Sequence, residues 1–131
     1  MADTSRIVAV VDDDSSLLKA LERLLSTQPW TTKTFLSAKA FLASLTDGLP
    51  DCLIVDLHMP EMSGLELQQV LTSKAVKIPT VIITSDTDAA ARQRCMSAGA
   101  VAYLQKPIRR AELFAVIDAV SAGSEQGPVA T

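Results

Sequence analysis

Apolar residues along this chain keep two rhythms. Short unbroken runs rich in Val and Ile recur along it, and between them Leu, Phe, Ala and Val fall at helical spacing. An unbroken β-branched run reads as a strand buried on both faces, as in a parallel sheet. The run Arg6-Ile7-Val8-Ala9-Val10-Val11 predicts a first, central strand. Leu17, Leu18, Leu21, Leu24 and Leu25 stand at i, i+1, i+4, i+7 and i+8 and predict a helix over 15–26, stopped by Gln28-Pro29. Residues 31–35 are half polar and suit an edge strand. Ser37 is placed to cap a helix whose face is Ala38, Phe41, Leu42 and Leu45, and Asp47-Gly48-Leu49-Pro50 makes a turn.

The second half repeats the alternation. A third strand runs through Leu53-Ile54-Val55 into Asp56, and Ser63 is a candidate N-cap for a helix with Leu67, Val70 and Leu71 facing in. Residues 79–84 form a fourth strand. Residues 87–98 predict an alanine-rich helix whose largest apolar side chain is Met96, ended by Gly99 as C′ residue. Such a helix buries little area and should be the least firmly held element. A fifth strand over 100–104 and a helix over 109–121, with Leu113, Val116, Ile117 and Val120 on one face, complete the pattern. Alternating β and α units imply an α/β fold: a doubly wound, five-stranded parallel sheet with five helices and right-handed crossovers. Residues 1–5 read as an N-terminal arm, 6–121 as one domain, and 122–131 as a flexible tail or linker stub.

Composition narrows the class. At 131 residues the chain has the length of one domain, and 48% hydrophobic with 21% charged residues is ordinary for a soluble globular protein. No apolar run approaches the roughly 20 residues of a membrane span. The first residues lack the basic and apolar regions of a secretory signal, so the expected location is cytoplasmic. Cys52 and Cys95 lack metal-ligand spacing and read as buried, reduced thiols. A net charge of −3 gives no electrostatic footprint for direct nucleic-acid binding.

The candidate chemistry sits where strands end. Asp12 and Asp13 follow the first strand, Asp56 the third, Thr84 the fourth and Lys106 the fifth. In a parallel sheet these ends share one edge, the edge where open α/β sheets bind ligands. Taken singly, Asp12, Asp13 and Asp14 suit a helix N-terminus, and Lys106 suits the surface. Together, three carboxylates repel one another unless a cation sits among them. A hard divalent ion, Mg²⁺ first among them, resolves that repulsion. Acid cluster, metal, lysine and hydroxyl together fit phosphoryl transfer with one carboxylate as nucleophile.

At this point a resemblance is carried by Val11-Asp12-Asp13, the run Asp56-Leu57-His58-Met59-Pro60-Glu61-Met62-Ser63-Gly64, Ile83-Thr84-Ser85 and Lys106-Pro107. In this order they resemble the signature of receiver domains of two-component response regulators, over about residues 6–121. Ser37-Ala38-Lys39-Ala40-Phe41-Leu42 adds a similarity to FixJ-type receivers. The resemblance implies a flavodoxin-like (CheY-like) fold. It implies Asp56 as phosphoacceptor from a sensor histidine kinase, and Mg²⁺ held by Asp12, Asp13, Asp56 and the backbone carbonyl of His58. Lys106 would pair with the acyl phosphate, and Pro107 would follow a cis peptide bond. Thr84 and Tyr103 would be the switch pair, altering the surface of the fourth helix, fifth strand and fifth helix for a partner or a second protomer. Asp14 is expected as an outer acid and N-cap; the His58 side chain has the reach to lie over the site, and the favoured reading is a solvated loop residue whose carbonyl alone matters. Asp86 would add negative charge at the rim.

Two other functions share parts of this pattern. A haloacid-dehalogenase-type aspartyl-phosphate phosphatase also uses a strand-end Asp, Mg²⁺ and a later lysine, but wants a second acid where His58 stands. A flavodoxin-like carrier shares the fold, but the loop Asp12-Asp13-Asp14-Ser15-Ser16 is acidic and would repel a flavin phosphate. Whether the chain acts alone or precedes a DNA-binding domain in a longer regulator is left open by its residues.

Overall fold

The computed structural model describes residues 6–126. The strands are β1 (Arg6–Val11), β2 (Trp30–Phe35), β3 (Cys52–Asp56), β4 (Thr80–Thr84) and β5 (Ala102–Gln105). The helices are α1 (Ser15–Leu25), α2 (Ala38–Ser44), α3 (Gly64–Ser73), α4 (Ala89–Ser97) and α5 (Arg110–Gln126), with a short 3₁₀ turn at Leu45–Asp47. All strand pairs are parallel and the sheet order is β2-β1-β3-β4-β5. The expected doubly wound sheet is therefore present, with β2 at an edge.

Continuous apolar strands are needed because both faces of the sheet are covered. Val8, Val10, Ile54, Val81 and Ile83 face Leu18, Leu21 and Leu25 of α1 and Leu113 and Ile117 of α5. Ala9, Val11, Leu53, Val55 and Ile82 face Phe41 of α2, Leu67 and Leu71 of α3, and Ala91 and Cys95 of α4. Alternate residues of one strand thus serve two cores. Both cysteines are buried free thiols, and burial together with the charge of Asp51 pushes Cys52 up to about 12.

Several boundaries and faces differ from the sequence reading. β2 begins at Trp30, which is buried and meets Phe114 of α5 edge-on at 5.6 Å. In α4 the inward residues are Ala91 and Cys95, four apart, whereas Met96 is 39% exposed. In α3 Gln68 is buried while Val70 is only half-buried. β4 starts at Thr80, since Pro79 has no N–H for the ladder, though its carbonyl accepts from Leu53. α5 runs on to Gln126, past the point where a tail was expected, because no proline interrupts the chain before Pro128. The expected arm at 1–5 and residues 127–131 lie outside the described residues.

Caps fix where each helix begins beside the sheet edge. The Asp14 carboxylate accepts from the N–H groups of Ser16 and Leu17, and Ser37 accepts from Ala40. Ser63 and Glu66 form a reciprocal capping box. At Gly64 the α3 terminus meets the end of β3: its N–H donates to the Leu57 carbonyl at 2.9 Å, and a Cβ there would lie 2.7 Å from the Asp56 carbonyl oxygen. Only glycine permits that approach. Gly64→Ala should therefore push α3 off the strand end and cost about 1–3 kcal/mol in a urea melt.

Candidate functional site

Four strand ends meet at the carboxyl edge between β1, β3, β4 and β5. Asp12 follows β1 and is fully buried, and Asp56 closes β3 with its carboxyl reached by the His58 backbone N–H. Asp13 is exposed at the rim. One carboxylate oxygen from each of Asp12, Asp13 and Asp56 lies within 4.8 Å of the others. The Asp14 N–H donates to Asp12 Oδ1 at 2.9 Å, which pins that carboxylate. Asp14 itself caps α1 and stands outside the cluster, as expected.

Lys106 enters from β5. Its Nζ lies 3.1 Å from Asp12 Oδ2 and 3.5 Å from Asp56 Oδ1. The Lys106 N–H donates to the Thr84 carbonyl at 2.7 Å, and the Lys106–Pro107 peptide is cis. Burial pushes the Asp56 carboxyl above the ordinary carboxylate range, and the neighbouring Asp12 charge adds to it, against an opposing pull from Lys106 and the His58 N–H. Burial works against the charged form of Lys106, but its bond to Asp12 and the charge of Asp56 outweigh it and raise its pKa. One lysine cannot neutralise three acids. The residual repulsion and the all-oxygen donor set fit a hard divalent cation such as Mg²⁺, which Asp12, Asp13 and Asp56 could hold.

Thr84 ends β4 fully buried, and its Oγ1 accepts from the Asp86 N–H at 3.0 Å. Tyr103 on β5 packs its ring partly against the core under α4. Its hydroxyl is buried without a hydrogen-bond partner, and burial raises its pKa. The sequence carries no sign of the partner that the His58 ring finds. Its ring is exposed, yet Nε2 lies 2.9 Å from Asp86 Oδ2 and donates to that carboxylate. This bond first, and the Asp88 N–H second, hold the Asp86 carboxyl below its usual range. The two residues sit 28 apart in sequence on different loops, so no local spacing could have announced the pair. Glu66 was also missed, although Ser-x-x-Glu before an apolar run is a readable sign.

Comparison with known proteins agrees with this geometry. Residues 8–118 match the family model of the response regulator receiver domain. The chain is 35% identical over 119 residues to the response regulator protein TodT of Pseudomonas putida, covering 91% of this chain and 52% of TodT. It is 36% identical over 122 residues to the transcriptional regulatory protein FixJ of Rhizobium meliloti, covering 93% of this chain and 58% of FixJ. The chain thus spans about half the length of these relatives. Among solved structures, FixJ-N superposes with a TM-score of 0.83 at 34% identity, covering 93% of this chain and 96% of that one. Full-length FixJ from B. japonicum gives 0.86 at 30% identity, covering 96% and 62%.

The raised Asp56 pKa has a checkable sign. A carboxyl that binds its proton more tightly when folded destabilises the ionised fold above its raised pKa, and that penalty fades as pH falls through it. Without metal, Asp56→Asn should raise the Tm at pH 7 by roughly 2–5 °C, with the gain shrinking as pH is lowered into the carboxylate range. Mg²⁺ at a hundredfold excess over its Kd should add about 2.7 kcal/mol to the unsubstituted chain and much less to Asp56→Asn. Calorimetric melts across pH, with and without Mg²⁺, check both.

Proposed function

Since the chain belongs to the response regulator receiver domains of two-component signalling, with FixJ among its relatives, we propose that Asp56 accepts a phosphoryl group from the phosphohistidine of a sensor histidine kinase. The observation that carries this reading is the convergence of Asp12, Asp13, Asp56 and Lys106 within bonding distance at one sheet edge. In the reaction an Asp56 carboxylate oxygen attacks phosphorus, the P–N bond to histidine breaks, and an acyl phosphate forms. Asp12, Asp13, Asp56 and the His58 carbonyl would hold Mg²⁺, whose charge offsets that of the phosphoryl oxygens.

The chain's own groups prepare the rest. The ionised carboxylate of Asp56 is the attacking form, and the Lys106 charge and the His58 N–H favour it against burial and the Asp12 charge. Once the phosphoryl group is attached, Lys106 exchanges its Asp56 contact for a phosphoryl oxygen. At rest Thr84 Oγ1 accepts from the Asp86 N–H; on turning, the hydroxyl leaves that bond and donates its own proton to another phosphoryl oxygen. Tyr103, with its unpartnered hydroxyl, is the neighbouring ring whose position answers that turn. Thr84 and Tyr103 thereby alter the face of α4, β5 and α5. A groove of about 790 Å³ there, lined among others by Asp88, Arg92, Tyr103, Gln105 and Glu112, would receive a partner or a second protomer. No described helix is long and apolar enough to cross a membrane, and we take the setting to be cytoplasmic. The acidic balance of the chain leaves any DNA contact to another domain or partner. The phosphatase alternative gains nothing: its general-acid position is His58, whose ring turns to Asp86.

The deciding experiment is intact mass after incubation with Mg²⁺ and acetyl phosphate. A phosphate-sized gain that requires both Mg²⁺ and Asp56, and is lost in Asp56→Asn, is the expected outcome. An equal gain in Asp56→Asn sinks the assignment. Tyr103→Phe should phosphorylate normally and stabilise the unphosphorylated fold by about 1 kcal/mol in a urea melt, because it removes a buried hydroxyl with no partner.

A further inference from the structure

Asp86 is bonded through four of its atoms to four different parts of the molecule. Its N–H donates to Thr84 Oγ1 at 3.0 Å. Its Oδ1 accepts from the Asp88 N–H at 2.8 Å, and Asp88 is the N-cap of α4 through Ala90. Its Oδ2 takes the His58 ring at 2.9 Å, and its carbonyl accepts from Gln105 Nε2 of β5 at 3.3 Å. One residue thus ties the switch hydroxyl, the start of α4, the loop after β3 and the end of β5.

This matters because α4 has little else to hold it. Only Ala91 and Cys95 are buried along it, and the link from α3 is a 3.5 Å contact of Gln68 Nε2 with the Cys95 carbonyl. A helix with so small an apolar face is positioned by its ends. At its N-terminal end the fastening runs through the Asp88 cap to Asp86, and from Asp86 across the mouth of the site to His58.

We propose that Asp86, anchored by His58, is a positioning residue: a latch that holds the Thr84 hydroxyl and the first turn of α4 in the resting arrangement and opposes the phosphorylated one. The inference rests on Asp56 being the phosphoacceptor. Its physical content is a coupling between two states. Contacts made only at rest must be given up when Thr84 turns, so cutting them shifts the balance towards the phosphoryl-bound form.

The test uses beryllofluoride with Mg²⁺ as an inert phosphoryl analogue, its affinity measured by calorimetry on the whole chain. Hydrogen exchange at the Ala90 and Ala91 amides reports on the latch itself. Asp86→Ala should bind the analogue about fivefold tighter or more, with faster exchange at those two amides and unchanged exchange in β1 and α1. Asp86→Asn keeps an acceptor for Asp88 and a donor for the His58 ring, and should stay close to the unsubstituted chain. His58→Ala, cutting the latch from the other wall, should shift the affinity the same way by less. Equal tightening in Asp86→Asn and Asp86→Ala would mean that charge alone opposes the ligand, and would overturn the latch. Unchanged or weaker binding in Asp86→Ala overturns it too. If the unsubstituted chain does not take up the analogue at all, the phosphoacceptor assignment falls, and the latch with it.

Discussion

Three carboxylates share a space that one lysine cannot neutralise, and the layout of the molecule answers to that constraint. The sheet puts Asp12 and Asp56 on adjacent strand ends, both largely out of water. Lys106 reaches back from β5 to both of them. The Asp14 N–H and the His58 N–H supply further positive ends to the two buried acids. Each is a partial remedy, and the carboxyl of Asp56 still sits above its ordinary range. An unrelieved excess of negative charge in a low-dielectric pocket is a standing attraction for a small hard cation.

The layers of the fold were legible because they follow from periodicity. Unbroken runs at Val8, Ile54 and Val81 required two covered faces, and leucines at helical spacing in α1 supplied one cover. The convergence of Asp12, Asp56, Thr84 and Lys106 was legible too, since parallel strands place their C-terminal ends on one edge. What escaped was set by tertiary contact. The His58–Asp86 bond joins two loops with no periodic signal. Cys95 was expected to be buried and is, but that Ala91, four residues before it, shares the inward face of α4 had no sign in the sequence. Trp30 stands just before the half-polar run over 31–35 that marks the edge strand. It is the strand's buried first residue, because Phe114 of α5 covers it.

Polar groups inside the cores mark where the structure is incompletely settled. Among the described residues the Thr32 hydroxyl of β2, the Gln68 amide oxygen and the Tyr103 hydroxyl are buried without partners, the last two beside α4. Elsewhere, caps such as Ser63 with Glu66 and Asp14 with α1 satisfy the free N–H groups of the helix starts.

The thin buried face of α4 has a consequence for variation. Because Ala91 and Cys95 are all that this helix gives to the core, its outward positions can be exchanged at almost no cost to folding. Recognition by a partner and solvency of the fold are then under separate control. A lineage could retarget the α4 surface, residue by residue, while the acids and lysine at the sheet edge stay as they are.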